Sequence, residues 1–362
     1  MTMTDKALYI HVPFCRHICY YCDFCHFAYS DTKVDRWLSA LKKEMAERLD
    51  FIPKTIYIGG GTPTSLKADQ LDEFLTLLDP FFNGQEYTIE INPETLDEEK
   101  ALLLKKHGIN RASIGVQSSN EKELRFLGRN HSFDDVRRTM ELLKNVCITN
   151  ISFDLIYSYE GQTPDSFRQS LNDCISLDPK HISVYSLTIE ENSVFGKKGV
   201  RNLDEETEAD LYELACNVLE ENGYRHYEIA NFAKPGFESR HNLCYWHYDD
   251  FLGLSAGASS KYDNCRFDNT RNLETYCSGN WIAERIELSL EDEMFEMIMM
   301  SLRLEEGMSL ELFRDRFNVD FLQHYEEEYR LARSKGLVSI NNGHLCCLKR
   351  NILHEALICF MK

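Results

Sequence analysis

The chain is short of cations. Its 362 residues hold 40 Lys and Arg against 59 Asp and Glu, a net charge of −19. That sign repels phosphate backbones, and no local basic patch offsets it, so nucleic acid is not an expected partner. The acidic stretches LDEETEAD and HYEEEYR read as solvated helix faces. Long apolar runs are missing too. The densest, MFEMIMMSL, is far shorter than a membrane span, so no transmembrane segment is expected. The opening residues, MTMTDKALYIHVPF, lack a basic stretch followed by a long apolar one, so no export signal is expected. Thirteen cysteines, an odd number without such a signal, argue against a disulfide framework and for a reducing, cytoplasmic compartment. There is no low-complexity segment and no repeat beyond a βα unit.

Short β-rich runs alternate with amphipathic helical patterns through the first half. Strands are expected at 7–12, 54–60, 86–92, 111–117, 150–157 and 181–189, with helices near 32–49, 67–79, 97–107, 133–145, 164–176 and 205–222. Six βα units imply parallel strands, and they fall short of the eight that close a full barrel. The expected fold is therefore α/β: a partial (β/α)6 TIM-like barrel, with a doubly wound open sheet as its rival. Strand parity adds that Glu90 and Asn92 share one face with Ser113, Gly115, Gln117, Ser152 and Asp154, while Ile89, Ile114 and Phe153 lie on the other. Buried carboxylates cost free energy unless they are partnered, so a polar ligand is expected in the barrel mouth. The expected organisation is a barrel over 1–222, an aromatic, loop-rich extension over 223–283, and a helical, winged-helix-like module over 284–362. In that last part, Asn342-Gly343 marks a two-residue hairpin turn and the methionines are expected to fill the core.

One loop carries unusual chemistry. HVPFCRHICYYCDFCHF, residues 11–27, places Cys15, Cys19, Cys22 and Cys25 within eleven positions just after the first strand. Spacing alone allows a closed four-thiolate metal site or an open three-thiolate one. A structural zinc site draws ligand pairs from separated parts of the chain, and no second pair stands at a suitable spacing. A cubane iron–sulfur cluster accepts thiolates from a compact run.

The C-x3-C-x2-C spacing resembles the signature of the radical S-adenosylmethionine (SAM) superfamily. Over essentially the whole chain the motifs resemble its coproporphyrinogen III dehydrogenase-like branch, and within that the HemW-type heme chaperones. The resemblance implies a [4Fe–4S] cluster on Cys15, Cys19 and Cys22, with the fourth iron left for SAM and Cys25 outside. It implies SAM contacts from Tyr9 in YIHVPFC, Tyr21, Gly60, Gly61 and Thr62 in GGGTPT, Glu90 in EINP, and Gln117 in SIGVQS. Arg129 in LGRNH, Asp154 in FDLIY and, by position, Thr188 in SLTIE complete that set. RHNLCYW matches the H-N-x-x-Y-W pattern of the chaperones and makes His241 a candidate heme ligand, with Tyr245 and Trp246 suited to a porphyrin face. The cysteine loop and His17 stay open as heme ligands. Three departures stand out: YSYEGQT for Y-G-L-P-G-Q-T, Ser259 where the family has histidine, and Ser239 where it has cysteine.

The implied function is a heme chaperone that carries heme to client hemoproteins, with an electron donor such as a flavodoxin. The alternative is the oxygen-independent coproporphyrinogen III oxidase (dehydrogenase), which decarboxylates propionates in porphyrin biosynthesis. Three features favour the chaperone: a first strand close to the start of the chain, Phe24 where the dehydrogenases complete a C-x-C, and the HNLCYW motif.

Overall fold

A computed structural model describes residues 6–349 and 352–361. Part of the stretch read for an export signal, residues 1–5, lies outside the described residues. Six strands form the centre: β1 (Ala7–Val12), β2 (Thr55–Gly60), β3 (Glu86–Ile91), β4 (Arg111–Gln117), β5 (Asn150–Tyr157) and β6 (His181–Ser186). They pair in chain order and all in parallel, as a partial (β/α)6 barrel requires. The intervening helices start where their sequences cap them. Asp97, Asn120, Ser132, Thr163 and Asp204 each accept a backbone N–H of the first turn.

Parity on the strands divides the sheet as expected. Ile89, Ala112, Ile114, Val116, Ile151, Phe153 and Leu155 are buried beneath the helices. The other face turns into the barrel, where Glu90 stands level with Ser113, Gly115 with Asp154, and Asp154 with Ser183.

Residues 223–283 differ from the loop-rich expectation. Strands 225–228, 231–233, 251–254, 259–262 and 265–269 join the sheet, with 282–287 beyond them, and make it twelve-stranded. These strands cap both edges of the parallel core, mostly by antiparallel pairing. At three to six residues each, they are too short for alternation to register in the sequence.

A second apolar core gathers Tyr248, Met294, Met297, Phe313, Phe321, Leu345 and Phe360 under the C-terminal helices and a three-stranded sheet. Its hairpin pairs Asn341 with His344 across Asn342 and Gly343, both at positive φ, as a tight two-residue turn demands. Among the described residues no helix is long and apolar enough to cross a membrane.

Candidate functional site

The carboxyl ends of the six strands and the loops beyond them surround a cavity of about 850 Å³. Twelve of the thirteen residues expected at the cluster and SAM sites face one another across it through their strands and loops, and the thirteenth, Thr188, lines it as an exposed residue just past β6.

The cysteine loop is pinned at several points. Phe14–Cys15 and Phe27–Ala28 form a two-stranded parallel ladder that closes its base. Tyr20 donates its N–H to the Leu127 carbonyl, and Phe195 donates to Tyr20 in turn. Inside, the four thiols divide. Burial pushes the Cys15 thiol up to about 11, and Cys19 raises it further. Burial likewise takes Cys22 to about 12, with Cys19 and Cys15 adding to the rise. Cys25 does not share that neighbourhood. Its thiol donates to the Arg271 carbonyl at 3.6 Å, and its side chain packs where a Cβ on Gly257 would stand. Among the described residues no three His, Cys, Asp or Glu side chains converge on a single metal ion. That suits a cubane, whose thiolates bind different irons and so neighbour one another without meeting at a point.

A hydrogen-bonded belt joins two of the three cysteines. The Thr62 hydroxyl donates to Cys15 Sγ (3.6 Å), Asn92 Nδ2 donates to Thr62 Oγ1 (3.0 Å), Arg129 Nη2 donates to Asn92 Oδ1 (2.9 Å), and Arg129 Nη1 donates to Cys19 Sγ (3.3 Å). Arg129 also donates to the Gly115 carbonyl, yet its Nε is buried with no partner. A buried cation with one idle N–H can take an anionic group from a ligand. Asn92 belongs in this belt and was not assigned a role from sequence; its parity with Glu90 was the available signal.

The glycine triplet is fixed by contact. Gly60 takes φ +111°, and a Cβ there would stand 2.7 Å from the His11 ring. A Cβ on Gly61 would lie 2.9 Å from two carbonyl oxygens of the cysteine-bearing strand and 3.0 Å from Cys15 Sγ. Glu90 accepts the Tyr57 hydroxyl at 2.8 Å and the Gly60 N–H at 3.1 Å. Burial still raises its carboxyl to about 7, helped by Asp154. Burial also raises Asp154, against the hydroxyls of Ser183 and Ser113 that stabilise its charge. His11 has Nε2 against the Cys25 carbonyl, which can only accept, so Nε2 carries the proton and Nδ1 accepts the Tyr9 hydroxyl.

The H-N-x-x-Y-W motif takes a different place from the one expected. It forms the helix Arg240–Trp246, capped by Ser239, whose hydroxyl accepts the Asn242 N–H. That capping hydroxyl accounts for serine at a position where the family has cysteine. His241 does not line the cavity: it is 1% exposed, its Nδ1 bonds the Thr55 hydroxyl, and its Nε2 bonds the Tyr245 hydroxyl. Its ring also stacks on Tyr57, at 4.9 Å between centroids. Both nitrogens are engaged and the ring is packed among Thr55, Tyr57 and Tyr245, where burial lowers it to about 3. Asn242 and Tyr245 are the residues that reach the cavity. Trp246 packs under the Arg303 guanidinium of the C-terminal module, away from the cavity. The helix thus brackets the barrel to that module.

The other departures stay outside the pocket or at its rim. Ser158 adopts φ +65°, the left-handed conformation glycine would have taken, and its N–H donates to Gln162. Tyr159 is buried against Phe126 and donates to Glu123. Ser259 is exposed at the cavity and bonds Asp268.

Residues 9–174 match the Radical SAM superfamily, and residues 288–354 match the HemN C-terminal domain. The heme chaperone HemW of Lactococcus lactis is 35% identical over 338 residues, 91% of this chain and 89% of that one. The heme chaperone HemW of Bacillus subtilis is 36% identical over 352 residues, 92% of each. Among solved structures, coproporphyrinogen III oxidase (HemN) from Escherichia coli shares the fold with a TM-score of 0.87 at 23% identity, covering 99% of this chain and 90% of that one. At this identity and coverage, the chain belongs to the heme chaperone HemW family of the radical SAM superfamily.

Proposed function

We propose that this chain is a heme chaperone, which binds heme and passes it to hemoproteins from a radical SAM core. The observation that carries the reading is its likeness, at 35–36% identity over about nine-tenths of both chains, to curated heme chaperones. The donor set around the cavity fits the cofactors this implies. Cys15, Cys19 and Cys22 would hold a [4Fe–4S] cluster, with Cys25 committed to Arg271. SAM would lie between Gly60, Gly61, Thr62 and Glu90 on one side and Gln117, Arg129 and Asp154 on the other, near Tyr9, Tyr21 and Thr188. When bound, that pair supplies one-electron cleavage of a sulfonium.

The residues themselves have separable tasks. Arg129 offers its idle N–H to a carboxylate, and Glu90 offers two acceptor oxygens to a diol. The belt through Thr62 and Asn92 fixes the orientation of Cys15 and Cys19. Phe24, 67% exposed, and Ile18, 39% exposed, form an apolar lip at the cavity, suited to a flat macrocycle. A reducing compartment such as the cytoplasm, a small electron donor such as a flavodoxin, and client hemoproteins rather than nucleic acid belong to the same proposal.

One sample decides between chaperone and oxidase. Protein with an anaerobically reconstituted cluster is assayed for stoichiometric heme binding and, with SAM and reductant, for coproporphyrinogen III turnover. Heme binding and transfer to an apo-hemoprotein without turnover is the expected result. Conversion to protoporphyrinogen would overturn it.

A further inference from the structure

Arg111, the first residue of β4, belongs neither to the belt between the cysteines nor to the hydrogen bonds of Glu90. It is 2% exposed and lines the cavity, and its side chain makes no hydrogen bond or ion pair among the described residues; its Nε is buried without a partner. No neighbour bonds the guanidinium directly. Asp154, whose charge Arg111 helps to stabilise, accepts the hydroxyls of Ser113 and Ser183 and forms no ion pair with it. His181 bonds Ser152 and Tyr227, and His241 bonds Thr55 and Tyr245, so both rings are used up and neutral. Thr88, level with Arg111 on β3, also has a buried hydroxyl with no partner. A desolvated guanidinium without a direct partner is costly, and an arriving anion removes that cost.

Position separates this site from the SAM pocket. Arg129 binds the carbonyl of Gly115, four residues further along the same strand. The two guanidiniums therefore enter the cavity from different levels of β4, with Asp154 acted on by both. The walls between are aromatic: Tyr9, Tyr57, Tyr185, Tyr245 and Phe251 all line the cavity.

We propose that Arg111 is a second anion subsite in the cavity, which takes one carboxylate of a ligand whose apolar body lies against those rings. On the chaperone reading, on which this identification rests, the carboxylate is a heme propionate.

The test is equilibrium titration of the anaerobically reconstituted protein with heme, heme dimethyl ester and SAM, for wild type, Arg111→Gln and Arg111→Lys. Wild type is expected to prefer heme over its diester by about ten- to a hundredfold, as a charge-assisted pair implies. Arg111→Gln should bind the two alike with SAM affinity unchanged. Arg111→Lys, which keeps the charge without the fork, should keep part of the preference and serves if the glutamine variant does not fold. An undiminished preference in both variants overturns the subsite. Loss of SAM affinity with the heme preference intact also overturns the propionate assignment, because the carboxylate is then that of SAM. Should wild type bind no heme, the chaperone reading fails separately, and 3-phenylpropionate replaces it in a thermal-shift assay. Stabilisation of wild type but not of Arg111→Gln then supports the subsite, and equal behaviour overturns it. A purely structural arginine would lower the ligand-free melting temperature when replaced, whereas an unpartnered buried cation predicts no loss for Arg111→Gln.

Discussion

Replacing Glu90 by glutamine isolates the cost of keeping a carboxylate inside the cavity. Burial lifts its folded-state value from the ordinary 4.5 to about 7, even with the Tyr57 hydroxyl and Gly60 N–H supporting the charge. Between those two values the folded protein holds a proton that the unfolded chain has released, so stability falls as pH rises through the window. At ~1.4 kcal/mol per tenfold change in proton affinity the penalty is at most ~3 kcal/mol, and partial exposure into the cavity trims it to about 2. Glutamine has the same shape and no charge. Its carbonyl can keep the Gly60 N–H while the Tyr57 hydroxyl rotates to accept the amide. Thermal unfolding of the ligand-free protein, wild type against Glu90→Gln from pH 5 to pH 8.5, measures the difference. The two should nearly coincide at pH 5, and the variant should melt several degrees higher by pH 8. The same change should weaken SAM binding by about tenfold, because one acceptor is lost. Parallel pH profiles would refute the reasoning, since they would mean that Glu90 ionises as freely when folded as when unfolded.

Three further outcomes follow from the geometry. Cys19→Ser should abolish the iron–sulfur absorbance after reconstitution, whereas Cys25→Ser should retain it, because only Cys25 is turned to the Arg271 carbonyl. Asn92→Ala breaks the belt between Thr62 and Arg129 at a cost of about 1–3 kcal/mol; cluster absorbance should decay several-fold faster under a chelator, with the circular dichroism spectrum unchanged. His241→Ala removes a buried ring stacked on Tyr57 and strands two hydroxyls, so the melting temperature should drop by several degrees, on the order of 2–4 kcal/mol. The heme absorbance of the folded fraction should keep its axial-ligand bands, and their disappearance would restore His241 as a ligand.

The strands and most helices were legible because each carries its own periodicity. Ile89, Ile114 and Phe153 bury one face while Glu90, Ser113 and Asp154 turn inward, and that alternation is written residue by residue. The edge strands of 225–287 were not legible, since three to six residues with mixed faces produce no pattern. The glycine triplet was legible as a motif, but the reasons for it are contacts with His11, Cys15 and two carbonyls from the preceding strand. Where the His241 ring lies was not legible, because a histidine in a recognised motif looks the same whether its ring faces a cavity or a threonine.

By itself the sequence determined the six-unit βα core, the compact thiol loop behind the first strand, the family those motifs resemble, and the sign of the surface charge. These depend on residues close together in the chain, where spacing is geometry. Tertiary structure alone decided what holds each thiol and which charged groups are left without direct partners. Cys25 meets Arg271 across 246 residues, Thr55 meets His241 across 186, and Arg129 reaches Cys19 across 110. Burial and partner choice at such separations are set by how the strands pack around the cavity. That the Arg111 guanidinium has no direct partner among the described residues follows from where its neighbours' bonds go, which only the packed strands set.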